Sequence, residues 1–274
     1  MDPRDREVAM AQFPEPPSSP RLLRPRGVGE ILSDAFALYR KHWRNLIVIV
    51  AVIVIPLSFA QVLLESAARS GFDGEGDLAS GALVGRALAS LVVAIVSILM
   101  WTVLTGAISR AAAGTFLGRD LEIGESYRYG LARFWSIVLV GVLSALAIVG
   151  GFILLVIPGF IVLAHLTCVI PVLVIEDRRG REALRRSWDL VRGFGWPVFW
   201  TIIVAGLLTG LVNAVLTAPF GDNWAVRSLA ASLASVVTMP YTALVGVFIY
   251  LDLRVRKERY TAAELERDLA STSV

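Results

Sequence analysis

The sequence predicts an all-α, polytopic membrane helical bundle of six transmembrane helices. Three observations predict it: an apolar composition, the gathering of that composition into long blocks, and the one-sided placement of the cations. Of 274 residues, 56% are hydrophobic and 18% charged, with a mean hydropathy of +0.68, a balance outside the usual range of soluble domains. A hydrocarbon layer about 30 Å thick takes roughly 20 helical residues to cross. Six apolar blocks approach that length, at 46–64, 87–108, 137–157, 160–175, 198–219 and 229–251. Lipid offers backbone amides no partners, and the blocks lack the polar/apolar alternation of barrel strands, so the helix is the viable form. The fourth block is the shortest, and only Pro158 and Gly159 separate it from the third, which predicts a tight helical hairpin.

The cations give the orientation. All but Arg69, Arg86 and Arg227 of the 26 Lys and Arg residues lie before the first block, between the second and third, between the fourth and fifth, or after the sixth. The other connections carry Glu65, Asp73, Glu75, Asp77 and Asp222. Basic residues stay on the cytoplasmic face, so both termini are predicted inside a cell membrane, and only an even number of crossings preserves the division. The first residues are Pro-rich and lack the apolar stretch of a cleavable signal. Residues 1–25 are therefore predicted as a disordered cytoplasmic tail, 26–258 as the membrane domain and 259–274 as a cytoplasmic C-terminal tail. The single cysteine, Cys168, lies inside the fourth block, which leaves no intrachain disulfide. The net charge of +3 reports mainly the inner loops. It predicts anionic membrane lipid as partner, and no nucleic-acid-binding motif is present.

A stretch of helical, amphipathic spacing precedes each odd-numbered block. In the first, Val28, Ile31, Leu32, Ala35, Phe36, Tyr39, His42 and Trp43 recur at three- and four-residue steps, opposed by Glu30, Ser33, Asp34, Arg40 and Lys41. In the second, Ile123, Tyr127, Leu131, Phe134 and Trp135 follow the pattern more weakly; in the third, Leu184, Ser187, Trp188 and Val191 form the stripe. Trp43, Trp135 and Trp196 stand where the membrane should begin. With Arg86-Ala-Leu-Ala-Ser-Leu opening block two and Arg227-Ser-Leu-Ala-Ala-Ser-Leu opening block six, the chain reads as three parallel copies of a two-span unit. Apolar stripes beside cations suit the headgroup layer, or the elbows of a bundle. The candidate lipid or partner interface is Arg40, Lys41, Trp43, Arg185, Arg186, Trp188 and Arg192.

Ionisable groups at membrane depth usually carry function, and here they are almost absent. His165 and Cys168, three residues apart in the fourth block, would share a helical face. They could begin a soft-metal site, but no second His or Cys lies in any block, and a histidine bonded to a carbonyl or hydroxyl is the plainer reading. Asn213, Thr102, Thr105, Thr238 and Thr242 suit interhelical hydrogen bonds, and Gly206-Leu-Leu-Thr-Gly210 suits a close packing seam or a homo-oligomer face. Pro56, Pro171 and Pro240 predict kinks. No G-x-S-x-G, H-E-x-x-H, P-loop or dinucleotide fingerprint occurs, so no catalytic, cofactor-binding or metal residue is predicted.

Gly29-Glu-Ile-Leu-Ser-Asp-Ala-Phe-Ala-Leu-Tyr-Arg40 and Ala183-Leu-Arg-Arg-Ser-Trp-Asp-Leu-Val-Arg-Gly193 resemble the membrane domain of glycerophosphoryl diester phosphodiesterases and its stand-alone bacterial relatives, over about residues 25 to 258. The resemblance implies a membrane-embedded accessory module without the catalytic barrel, and so no phosphodiesterase activity. The matched positions Gly29, Glu30, Ala183, Leu184, Ser187 and Gly193 fall on the amphipathic stretches. A non-enzymatic module that engages a partner or lipid at the cytoplasmic leaflet is expected first, and a transporter or export factor for a small or lipid-like molecule second.

Overall fold

The structure, a computed structural model, describes residues 24–70, 80–116, 133–220 and 224–271. Among these, regular structure is helical throughout: α1 (Val28–Ser70), α2 (Ser80–Phe116), α3 (Phe134–Leu154), α4 (Val156–Leu166), α5 (Val169–Glu176), α6 (Arg181–Val191), α7 (Gly195–Thr217), a 3-10 turn at Ala218–Phe220, α8 (Trp224–Glu258) and α9 (Ala262–Ser271). Among the described residues, five helical stretches are long and apolar enough to cross a membrane: Val28–Leu63, Phe134–Leu154, Val156–Glu176, Gly195–Phe220 and Val226–Glu258. The predicted block 87–108 lies within α2, where half of the block's side chains are outside the described residues. So are the N-terminal tail to residue 23, the acidic connection at 71–79, Asp222, and the predicted amphipathic stretch at 123–131.

Local backbone chemistry places the breaks. The chain reverses at Leu155, which is extended (φ −169°, ψ 155°), rather than at Pro158-Gly159. Pro158 falls in the first turn of α4, where a missing N–H costs nothing because those amides have no intrahelical partner. Gly159 then lies against α3: a β-carbon on it would stand 2.4 Å from the Phe152 ring, and one on Gly151 would stand 3.1 Å from the Gly159 Cα. Pro171 breaks the fourth block rather than kinking it. It provides no N–H to the Thr167 carbonyl, so α4 stops at Leu166 and α5 starts at Val169. Ser187 of α6 donates to the His165 carbonyl beside this break at 2.7 Å. Pro197 occupies the same first-turn position in α7. Pro56 and Pro240 lie inside helices, and the non-helical residue of α1 is His42 (φ −118°, ψ 21°), where the amphipathic stretch meets the span.

Burial is one-ended. Leu104 to Phe116 on α2, Val169 to Ile175 on α5 and Val247 to Leu253 on α8 supply much of the core, and α1 packs along α8. At the opposite end Phe59, Leu63, Leu146, Ile157, Leu211 and Val215 are exposed, with Ile153 at 79%. At about 25 cal/mol per Å² of apolar surface, this half of the bundle is stable in contact with hydrocarbon and costly in water. Of the segment 259–274, expected as a tail, the described residues to 271 fold back instead: α9 buries Leu265 and Leu269 against α5 and α2. Thr261 and Glu264 close a capping box at its start, the Glu264 carboxylate accepting from the Thr261 N–H at 2.8 Å. That bond, joined by one from the Thr261 hydroxyl, holds the Glu264 carboxyl below the usual carboxylate range.

Gly159→Ala is expected to lower the stability of the purified protein by about 1–3 kcal/mol through overpacking against Phe152. Gly150→Ala meets open space and leaves stability unchanged or slightly higher. Thermal unfolding of the two variants side by side checks this.

Candidate functional site

The predicted interfacial residues separate into two groups and an outlier. Arg40, Lys41 and Trp43 are exposed around the His42 break, with the Arg44 guanidinium over the Trp43 ring at 5.4 Å. On α6, Arg185 is exposed (88%) and reaches only Asp189, at 4.0 Å, and Arg192 is exposed at the helix end. The two groups do not form one site: α6 packs on α3, α4, α5 and α8, whereas α1 packs on α2, α7 and α8. Trp188 lies at the edge of α6, stacked on His165 with ring centroids 4.2 Å apart. The face that α6 buries is Ala183, Ser187, Leu190 and Val191, one step around from the predicted stripe. On α1 the buried face is Ile31, Ala35 and Leu38, with Phe36 and Trp43 outside it.

Arg186 turns inward to a charge cluster. Glu176 ends α5 with its side chain 8% exposed, where the carbonyls of the last turn already concentrate negative charge. Four donors offset this: Arg186 Nε at 2.8 Å, Arg254 Nη1 at 3.0 Å, the Tyr250 hydroxyl at 3.0 Å and Arg178 Nε at 3.1 Å. Glu258 bridges Arg186 and Arg254, both at 2.6 Å. Burial opposes the Arg186 charge, yet the hydrogen bonds from Glu258 and Glu176 outweigh it and hold this group protonated beyond its ordinary range. Arg254 also lies 3.8 Å from the Tyr260 ring centroid, and Tyr260 donates to Asp268 of α9 at 2.7 Å. Burial pushes the Tyr260 phenol up, and the bond to Asp268 adds to this. Nearby, Arg133 pairs with Asp177, and Arg110 donates to the Leu269 carbonyl at 3.0 Å.

The other face of α8 holds the N-terminal segment. Asp252 accepts from the Arg26 N–H at 2.6 Å and from Arg256 Nε at 2.8 Å, while Arg256 Nη2 donates to the Arg26 carbonyl at 2.6 Å. Arg26 reaches Asp34 at 2.9 Å. A cavity of about 310 Å³ lies beside these groups, between the start of α1, the start of α7 and α8. Its cations are matched by Asp34 and Asp252.

Deeper in the spans, Asn213 Nδ2 donates to Thr238 Oγ1 at 3.0 Å, the interhelical bond expected of it. His165 Nδ1 bonds the Ile161 carbonyl at 2.8 Å, and Cys168 is wholly buried across the α4/α5 break. The single helical face that would have joined the two is interrupted. His165 instead borders an aromatic groove of about 420 Å³ with Phe160, Trp196 and Phe199. A larger cavity of about 640 Å³ opens between α2, α3, α4, α5, α7 and α8, walled by small and apolar residues with the hydroxyls of Thr102, Thr105, Ser144, Thr167 and Thr242. Gly206 lies on this cavity rather than in a close seam.

Removing one partner from a buried charge cluster leaves the others uncompensated, at about 3–5 kcal/mol. Glu176→Gln is expected to destabilise the protein toward that range. Arg185→Gln, at an exposed pair, changes it by less than about 1 kcal/mol. Chemical denaturation of both variants checks the contrast.

No curated protein and no solved structure matches the chain. A family model described as a domain of unknown function (DUF7847) matches residues 31–253. The matched stretch starts on α1 and ends near the close of α8, taking in the α5 and α6 parts of the charge cluster together with Arg133, Tyr250 and Asp252. Since it covers most of the 274 residues, the protein belongs to the DUF7847 family.

Proposed function

We propose that the protein is a non-enzymatic integral module of the cell membrane, with six spans and cytoplasmic termini, that engages anionic lipid at the cytoplasmic leaflet and presents a surface to a protein partner there. The observation that carries the reading is the set of exposed cations and tryptophans that α1, α6 and the start of α7 each present, as separate groups. Arg40, Lys41, Arg44, Arg181, Arg185 and Arg192 are exposed, and so are Trp43, Trp188 and Trp196. Tryptophan favours the membrane interface, and each Lys or Arg near an anionic surface contributes about 1 kcal/mol of attraction. Arg186 belongs to the internal cluster and not to these exposed groups. The likeness of 29–40 and 183–193 to the glycerophosphoryl diester phosphodiesterase membrane domain supports an accessory role. The second block within α2, whose start echoes that of α8, supports six spans and the threefold repeat. A transporter or export factor for a lipid-like molecule is the second reading, favoured by the 640 Å³ cavity.

The test is lipid retention by native mass spectrometry after reconstitution in mixed phosphatidylglycerol and phosphatidylcholine vesicles. The wild-type protein is expected to retain phosphatidylglycerol preferentially. Replacing Arg40, Lys41, Arg185 and Arg192 together by Gln should abolish the preference without unfolding the protein. No preference in the wild type, together with no partner co-purifying from native membranes, would contradict the reading.

A further inference from the structure

The 640 Å³ cavity has the volume of a small-molecule site, and its walls are set by side chains that are absent or short. At Gly206 on α7 and Gly246 on α8 a β-carbon would meet nothing within 4 Å, and Ala145 on α3 faces the same space. Gly206 and Trp101 on its rim are exposed, so the space is reached from the outside of the bundle.

The lining determines what can enter. Thr105 donates to the Trp101 carbonyl at 2.7 Å, Ser144 to Val140 at 2.7 Å, Thr167 to Leu163 at 3.0 Å and Thr242 to Thr238 at 3.3 Å. These hydroxyl protons are spent within their own helices, and no charged side chain is among the described residues of the wall. An ionised occupant would give up its hydration with only a few hydroxyls to replace it. A carboxylate would find no cation. A hydrocarbon chain loses nothing, and it is the material that surrounds an exposed rim at this depth.

We propose that the cavity is a binding site for one acyl chain of a bilayer phospholipid, which enters past Trp101 and Gly206 and leaves its headgroup outside. The inference goes beyond the interfacial reading. It needs the helices in a bilayer but not the exposed arginines, and the two readings fail separately because their variants share no residue.

The full-length protein is reconstituted in phosphatidylcholine vesicles that contain phosphatidylcholine with a photoactivatable diazirine in one acyl chain. Adducts are mapped by peptide mass spectrometry after irradiation. The expected result is labelling of the wall around Ser144 and Thr242, in addition to the exposed Leu211 and Val215. The variant Gly206→Leu/Gly246→Leu, for which the open space leaves room, should lose the wall adducts and keep those at Leu211 and Val215. Ala145→Leu fills the same space from α3 and should act alike. Absence of wall adducts in the wild type overturns the proposal whatever the variants do. So does wall labelling that persists in a folded, filled variant, or wall labelling by a diazirine fatty acid but not by the phospholipid.

Discussion

Glu176 is the constraint on which the charged end of the bundle depends. A carboxylate at a helix C-terminus, removed from water, is unfavourable twice over, and its presence requires Arg186, Arg254 and Tyr250 around it. Those partners come from α6 and α8, and Arg254 passes the connection to Asp268 on α9. Satisfying one buried charge therefore fixes the mutual placement of four helices. Tyr250, Arg254 and Glu258 fall on one face of α8, four residues apart, while Asp252 and Arg256 fall on another and secure the N-terminal segment. A single helix end is thus clamped on both sides.

The clamp explains why burial is so uneven. Where polar groups tie the helices together, the apolar residues between them pack into a core, from Leu104 to Leu269. Away from the clamp no polar network joins the helices beyond pairs such as Asn213 and Thr238 among the described residues. Leu146, Ile153 and Val215 remain outside any packing. Lipid tails are as apolar as these side chains, so nothing drives them together. The cavity sits where the one regime gives way to the other.

What the sequence made legible was local. Apolar blocks located the five helical stretches long and apolar enough to cross a membrane among the described residues, and the polar side chains of Asn213 and Thr238 within apolar blocks anticipated an interhelical bond. Pro171 was misread as a kink because proline marks both helix starts and kinks: like Pro158 and Pro197, it falls in the first turn of a helix. Residues 262–271 were read as a tail although Thr261-x-x-Glu264 carries a capping signal, because the stretch is short and mixed in charge. On α6 the stripe was placed one step away from the buried face, since Trp188 counts as apolar yet needs only an edge against His165. The charge cluster had no local signal. Glu176 and Arg254 are 78 positions apart, and nothing in their neighbourhoods separates them from the surface charges beside them.

In the proposed arrangement the clamped, charged end lies in the cytoplasm and the exposed apolar helices cross the membrane away from it. Labelling of single cysteines with a membrane-impermeant maleimide in intact cells, in a background lacking Cys168, tests it directly. A cysteine in place of Asp73 should react from outside, and one in place of Arg185 only after the membrane is permeabilised. Reaction of both from the same side would contradict the account.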